Sequence, residues 1–593
     1  MDKYIVTGND SLSLPRINEQ TAGIENISFM FMQFKGAINL QGNSEQPFLR
    51  PVVTVADSDV CVDPVWSKQA YWIPTFSAGD CVEGCILTPV EDRGFIYKIS
   101  YCNKTDNRQT VSIGFDGCWE ETQQAINGCF PITLEKRQDY SWYGIPVFGL
   151  VQTVPIFYYS FVFNSKMQSQ LECDGNVCKY SFTKQVTLNP GESETVELFF
   201  GLGCDAVSAA TSAIEMQRKT FEGCLSESVR FLDSRSFGVE DKELEGLLNY
   251  NLFFSYFFAA GKTIDSDELV LCTSRSSRYY VSVAYWDRDS LLWNFPAILQ
   301  VDSRRALAML EYVFTKQIKN VGIHSRFIDG TVLEPGFELD ELCAPVIALY
   351  NYVDKTGDKL ILREPIFEKG VKRILDILGT KKHATVDLYE TMLYPSDDMH
   401  TYKYLTYDNV LVEKMLHSLA ELYNGIWDDE TVGRLKLQGD RVAQAIEENC
   451  ISEINGKNMY VWSTDLEGSH KIYDEPPGSL VLLKFYGHRT NEEAYTNTVE
   501  RLYSEDYPYS FSNKKFSEIG CSHCNHPWVL SYCNSLLCGR VEQTVKAYKQ
   551  MKMDNGIVCE TINEDTGEAS SGNAFATCAG FFAYTLMTAL KKD

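Results

Sequence analysis

The chain has 593 residues, 44% of them hydrophobic and 23% charged, with 80 acidic residues against 54 basic ones. That is enough apolar material for large cores and too little charge for a disordered chain. A net charge of −26 argues against a polyanion-binding surface, which needs clustered Lys and Arg, and suits neutral or cationic ligands.

In chain order, Met1 to Arg16 shows no basic segment ahead of an apolar core, so it does not read as a signal peptide. The 19 Cys are then expected to be mostly reduced, buried and small-apolar in role. The most apolar window, Val147 to Phe163, is broken by Gln152, Thr153 and Pro155 and is too short to span a bilayer. The expectation is a soluble, cytoplasmic protein. Residues 1–205 carry short alternating runs between turn signals: Gly94 to Lys104, Gln109 to Gly117, and Tyr180 to Gly203 around an Asn189-Pro190-Gly191 turn. They predict an antiparallel β-sandwich. Residues 206–236 change to helical texture through Ala209, Ile214, Met216 and Phe221, and predict a linker helix. Residues 237–593 are mostly helical segments, marked by Leu244 to Phe254, Leu411 to Leu422 and Ala576 to Leu590. Their length holds about a dozen helices of ordinary size. A sandwich, a linker helix and about twelve helices predict an (α/α)6 toroid, a fold-level analogy that leaves function to the site.

Four segments could carry chemistry. Tyr285-Trp286-Asp287-Arg288-Asp289-Ser290 puts an indole beside a guanidinium and two carboxylates, groups that stack on and hydrogen-bond to a sugar; a capped helix start reads equally well. Glu338-Leu339-Asp340-Glu341 opens an apolar helix, where one or two acids would suffice for the dipole. Ser396-Asp397-Asp398 lies in an aromatic turn; adjacent acids repel, so one could hold a proton as a general acid must, or the turn is an Asx turn. Glu560 stands at the start of an acidic loop, beside Ile557 and Val558. Cys521-x2-Cys524, with His526, invites a zinc reading, but no fourth ligand is evident. Dinucleotide, P-loop, zincin and nucleophile-elbow motifs are absent.

Trp286 to Ser290, Glu338 to Cys343, Pro395 to Asp398 and Pro477 to Gly487, in this order, resemble glycoside hydrolase family 125, metal-independent exo-acting α-mannosidases on an (α/α)6 barrel. More distantly the chain resembles glucoamylases and glycogen-debranching glucosidases. The resemblance covers Tyr280 to Asp593; it departs at Asp287, where the family tends to carry an apolar residue, and in the Pro-Pro-Gly-Ser stretch. It implies an inverting mechanism with Asp397 as general acid and Glu560 as general base, the two carboxyls roughly 6.5 to 9.5 Å apart. Trp286, Asp287, Arg288, Asp289, Glu338, Asp340, Asp398, Tyr402, His526 and Trp528 are the candidate substrate contacts. The expected activity is removal of a terminal α-linked hexose, mannose first and glucose second, from an oligosaccharide. It calls for no metal, cofactor, nucleic acid or membrane partner, and does not require an oligomer. The alternatives are a phosphate-dependent glycoside phosphorylase, a polysaccharide lyase and a non-catalytic sugar-binding protein.

Overall fold

The structure, a computed structural model, describes residues 3–56, 58–61 and 63–591, so the outermost residues of the expected end domains fall outside it. Two compact units form. One holds Met1–Ser236, Phe257–Val270 and Ser274–Val283; the other holds Phe237–Tyr256, Leu271–Thr273 and Ala284–Asp593.

The first unit carries the expected antiparallel strands, in three sheets of six, eight and five. Their inward side chains share one aromatic core that includes Phe95, Tyr97, Phe115, Trp119, Tyr159 and Phe200. The alternating runs fall on strands Gly94–Cys102, Gln109–Trp119, Cys178–Leu188 and Ser193–Gly203. The Asn189-Pro190-Gly191 turn passes the chain from the five-stranded sheet to the eight-stranded one. The single helix expected over 206–236 is two helices, Ala206–Lys219 and Phe221–Asp233. They break at Thr220, whose positive φ ends the first and whose side chain accepts the Gly223 N–H at the start of the second. The first helix buries Ala209, Ala213 and Met216 and belongs to the sheet unit. Cys173 and Cys178 form a disulfide across a hairpin, an exception to the expected reduced state; the other 17 Cys are free.

In the second unit the periodic segments form helices, among them Lys242–Phe258, Leu339–Thr356, Thr406–Leu422, Asp429–Asn449, Val529–Leu537 and Ala576–Ala589. Two features position the site. Arg288–Asn294 is π-helical and leads into helix Phe295–Val301, a widened turn of the kind frequent at functional sites. Hairpin Ile323–Arg326 with Val332–Phe337 runs directly into helix Leu339–Thr356. Among the described residues, no helix is long and apolar enough to cross a membrane.

Candidate active site

Tyr285 pairs through its backbone with Arg326, N to O at 2.9 Å and back at 3.0 Å, which anchors the Trp286 to Ser290 segment on the 323–326 strand. The carboxylate of Glu341, in the first turn of helix Leu339–Thr356, accepts the backbone N–H of Asp287 and that of Arg288, the latter at 2.9 Å. One acid of that turn thus caps the neighbouring segment, which Asp287 does not cap itself.

Arg288 is the hub. Its Nε donates to Asp340 at 2.6 Å, its Nη2 to Glu338 and its Nη1 to Asp397 at 3.1 Å. Arg288, Glu338 and Asp340 are at most 2% exposed, whereas the Asp397 side chain is 39% exposed. A planar fork with several donors suits a buried site that must satisfy three carboxylates at once. His324 extends the network: Nδ1 lies 2.8 Å from Glu338 and 3.6 Å from Asp397. Burial alone would lower the His324 pKa, but the Glu338 bond and the Asp397 charge raise it above its usual range. Trp286 is buried with its ring edge-on to His324 at 5.5 Å.

His324, Glu338 and Asp397 are, among the described residues, the donors close enough together to hold a cation. Two of these carboxylates already take their positive charge from Arg288. Cys521, Cys524 and His526, set aside as zinc ligands on sequence grounds, do not form such a group among the described residues. Cys524 bonds to Thr561 and Ser571 hydroxyls, and His526 pairs with Glu564 at 2.9 Å.

Asp287 is fully buried, and its carboxylate is engaged by Arg326 and by the Tyr285 hydroxyl. It thus supports the segment from beneath. Asp289 accepts from Thr577 at 2.8 Å, and burial pushes its carboxyl up to about 7 against the pull of Arg288. Asp408, in the first turn of helix Thr406–Leu422, is fully buried with no hydrogen-bond partner for either oxygen among the described residues; burial holds its pKa well above the usual range.

The Asp397 turn is closed by Tyr394 N to Asp398 O at 2.7 Å and Asp397 N to Tyr394 O at 2.8 Å, with Asp397 at φ +70°. Asp398 is half exposed and 3.6 Å from His523, whose ring lies 6.1 Å from that of Trp528. Val529 N donates to the Glu560 carbonyl at 3.0 Å. A chain of contacts therefore runs from the Asp397-Asp398 turn to Glu560. Glu560 is not in a free loop. It precedes strand Thr561–Ile562, paired with Ala569–Ser571, and its carboxylate accepts from Ser571 at 2.7 Å while only 4% exposed. His526, with its Glu564 partner, is not bonded to this network, and neither is Tyr402, half-buried before strand Tyr404–Leu405. Sequence reasoning left out His324, Arg326 and Asp408 and gave no separate role to Glu341 or Glu475; the last grips Ser396 from 79 residues along the chain.

Residues 379–587, which include Asp397 and Glu560, match the model of the metal-independent alpha-mannosidase family GH125. Among solved structures, the chain is similar to a Streptococcus pneumoniae protein from a family of metal-independent alpha mannosidases, in a non-productive complex with alpha-1,6-mannobiose. That likeness has 18% identity and a TM-score of 0.52, over 59% of this chain and 95% of that one. A bacterial glucoamylase complexed with acarbose is 12% identical, TM-score 0.66, over 100% and 95%. A human-microbiome protein assigned as a kojibiose phosphorylase is 10% identical, TM-score 0.56, over 98% and 86%. At these identities the likeness is one of fold. No curated protein matches the sequence. The class these observations support is a glycoside-active enzyme. The family that the chain resembles over the matched segment is GH125, and the bacterial glucoamylase is similar in fold over the whole chain.

Proposed function

We propose that this protein is an exo-acting, inverting α-glycosidase that hydrolyses a terminal α-linked hexose, mannose before glucose, from cytoplasmic oligosaccharides. Its helical unit would be an (α/α)6 toroid and its sheet unit a β-sandwich. The observation that carries the reading is the Arg288 network: a fully buried guanidinium holds Glu338 and Asp340, and its last nitrogen holds a carboxylate that reaches solvent, Asp397. A buried guanidinium fork that ends in one solvent-reaching carboxylate suits recognition of a single terminal sugar. Asp397 serves as general acid and protonates the leaving oxygen. Glu560, fixed by Ser571, serves as general base and activates water on the opposite ring face. Trp286, Arg288, Asp289, Glu338 and Asp340 hold the sugar's hydroxyls, and Asp398, Tyr402, His526 and Trp528 form the rim.

Hydrolysis is preferred to phosphorolysis because the two buried guanidinium groups are already engaged, Arg288 by Glu338, Asp340 and Asp397 and Arg326 by Asp287 and Glu341, which leaves neither to take up a phosphate dianion. The test is NMR of the released sugar's anomeric proton with α-linked mannosyl and glucosyl disaccharides in phosphate-free buffer. A β-configured hexose appearing first is expected, and Asp397→Asn should lower kcat about 10²–10⁴-fold. An α-configured first product overturns the inverting mechanism. Release only after phosphate is added overturns hydrolysis, and no release under either condition overturns the reading.

A further inference from the structure

We propose that Glu475 is the positioning residue for the Asp397 carboxyl, fixing it by gripping both hydrogen-bonding groups of the preceding Ser396. The inference rests on the reading of Asp397 as general acid.

The Glu475 side chain belongs to the loop Tyr473-Asp474-Glu475-Pro476-Pro477-Gly478, and 79 residues separate it from Ser396. Its Oε1 accepts the Ser396 backbone N–H at 2.8 Å, and its Oε2 bonds the Ser396 hydroxyl at 2.8 Å. Glu475 is fully buried and Ser396 nearly so, so water cannot substitute for either bond. A bidentate grip fixes both the Pro395–Ser396 peptide and the Ser396 side chain. The next residue, Asp397, follows at φ +70°, a backbone region that costs an Asp side chain free energy and persists only when its surroundings impose it. From there its carboxylate meets Arg288 at 3.1 Å.

The loop that carries Glu475 is itself held. Asp474 accepts from Ser479 at 2.6 Å and from Leu480 N at 2.7 Å, and Asn534 donates to the Pro476 carbonyl at 2.8 Å. Gly478 lies so close to Pro395 that a Cβ there would fall 2.6 Å from the proline ring. The Pro-Pro-Gly loop is thus a cradle under Pro395-Ser396, with Glu475 as its contact to the backbone that aims Asp397. The Ser396 hydroxyl can donate to a carboxylate or accept from a carboxylic acid, so the grip holds in either protonation state, and a Gln side chain can reproduce it.

The test compares Glu475→Gln, Glu475→Leu, Ser396→Ala and Asp397→Asn on α-1,6-mannobiose and on 2,4-dinitrophenyl α-mannoside, or on isomaltose and the matching glucoside if glucose is the sugar released. Glu475→Gln should keep kcat within about threefold. Glu475→Leu should lose about 10²-fold in kcat on the disaccharide with KM nearly unchanged, the scale expected for a carboxyl displaced by about 1 Å. The loss should shrink to under tenfold on the dinitrophenyl glycoside, whose leaving group needs no proton. A purely structural defect would lower both substrates alike. Ser396→Ala, which keeps the backbone bond and the fold, should show the same substrate contrast at about a tenth of the size, and serves if Glu475→Leu does not fold. Crystal structures give a readout independent of turnover: in Glu475→Leu the Asp397 carboxylate should leave hydrogen-bond distance of Arg288. Folded Glu475→Leu with unchanged kcat, equal losses on both substrates, or an unmoved Asp397 overturns the proposal. If Asp397→Asn cleaves the disaccharide normally, the reading of Asp397 as the acid fails instead.

Discussion

Arg288 decides the stability of the site as well as its geometry. Its three nitrogens each serve a different carboxylate, of which Glu338 and Asp340 are fully buried. Such a network costs desolvation on every member, so its removal is more harmful than its presence is stabilising. Arg288→Met should destabilise the protein by about 3–5 kcal/mol, the range for stranding buried charges. Arg288→Lys should recover part of that stability but little activity, because a single ammonium cannot hold three carboxylates in a plane. Urea denaturation and kcat on the same preparations check both expectations; a Lys variant with wild-type kcat would mean that charge alone suffices. At the other carboxylate the controlling residue has no side chain. Gly572 sits at φ +58°, and a Cβ there would lie 2.4 Å from the Glu560 Cβ. Gly572→Ala should cost about 1–2 kcal/mol in backbone strain and displace Glu560, with kcat falling at least tenfold. A variant with normal kcat and the expected strain cost would show that Glu560 tolerates displacement and is not the base.

Between elements, one buried ion cluster outside the active site ties the helical unit together. His488 Nδ1 lies 2.6 Å from Glu413 on helix Thr406–Leu422, and its Nε2 lies 2.9 Å from Glu447 on helix Asp429–Asn449. Tyr460 donates to the same Glu447. Both ring nitrogens can donate only in the imidazolium. Burial opposes that charge, but the two carboxylates outweigh it and push His488 up to about 9. A folded pKa above the unfolded value of about 6.5 gives stability that is complete below pH 6.5 and lost as pH rises through 9, worth at most about 3 kcal/mol. The denaturation midpoint of the wild type should therefore exceed that of His488→Gln near pH 6, and the gap should close by pH 10. A gap independent of pH would assign the difference to packing. Of the two helices that make this cluster, one was legible in the sequence, since the 411–422 periodicity falls on Thr406–Leu422; elsewhere in the unit, the acids of 338–341 do open a buried helix. The pairings were not legible. Glu341 caps a segment 53 and 54 residues away, and Arg326 and His324 stand in an ordinary short strand whose spacing announces nothing. For the same reason the sequence pointed to His526, whereas His523, three residues earlier, is the one beside Asp398. Local pattern specifies helices and strands; partners across tens of residues are set by tertiary packing.

For the whole molecule, burial of acids sets a pH dependence in the same direction as the self-repulsion of a chain with net charge −26. Burial pushes Asp289, Asp474 and Glu518 up to about 7 and Glu475 to about 8. Each has a folded pKa above its unfolded value near 4, so the folded chain binds more protons than the unfolded one between about pH 4 and 8. Their contribution to stability is greatest below that window and is lost as pH rises through it, which is the same direction as His488. Growing self-repulsion adds to the loss, because surface acids are already ionised while the buried ones begin to charge. The melting temperature should thus fall from pH 6 to pH 9, by about 5–10 °C, rather than pass through a neutral plateau. Differential scanning calorimetry across that range tests it, with Glu475→Gln as the control, since an amide removes one of the titrating groups and should flatten the slope. A melting temperature that rises with pH would mean that these carboxyls are ionised in the folded protein, held by the hydrogen bonds that Ser396, Ser479, Ser531 and Ser535 give them. The same measurement bears on the active site, because Glu475 is both the highest of these four and the residue that grips the backbone ahead of Asp397.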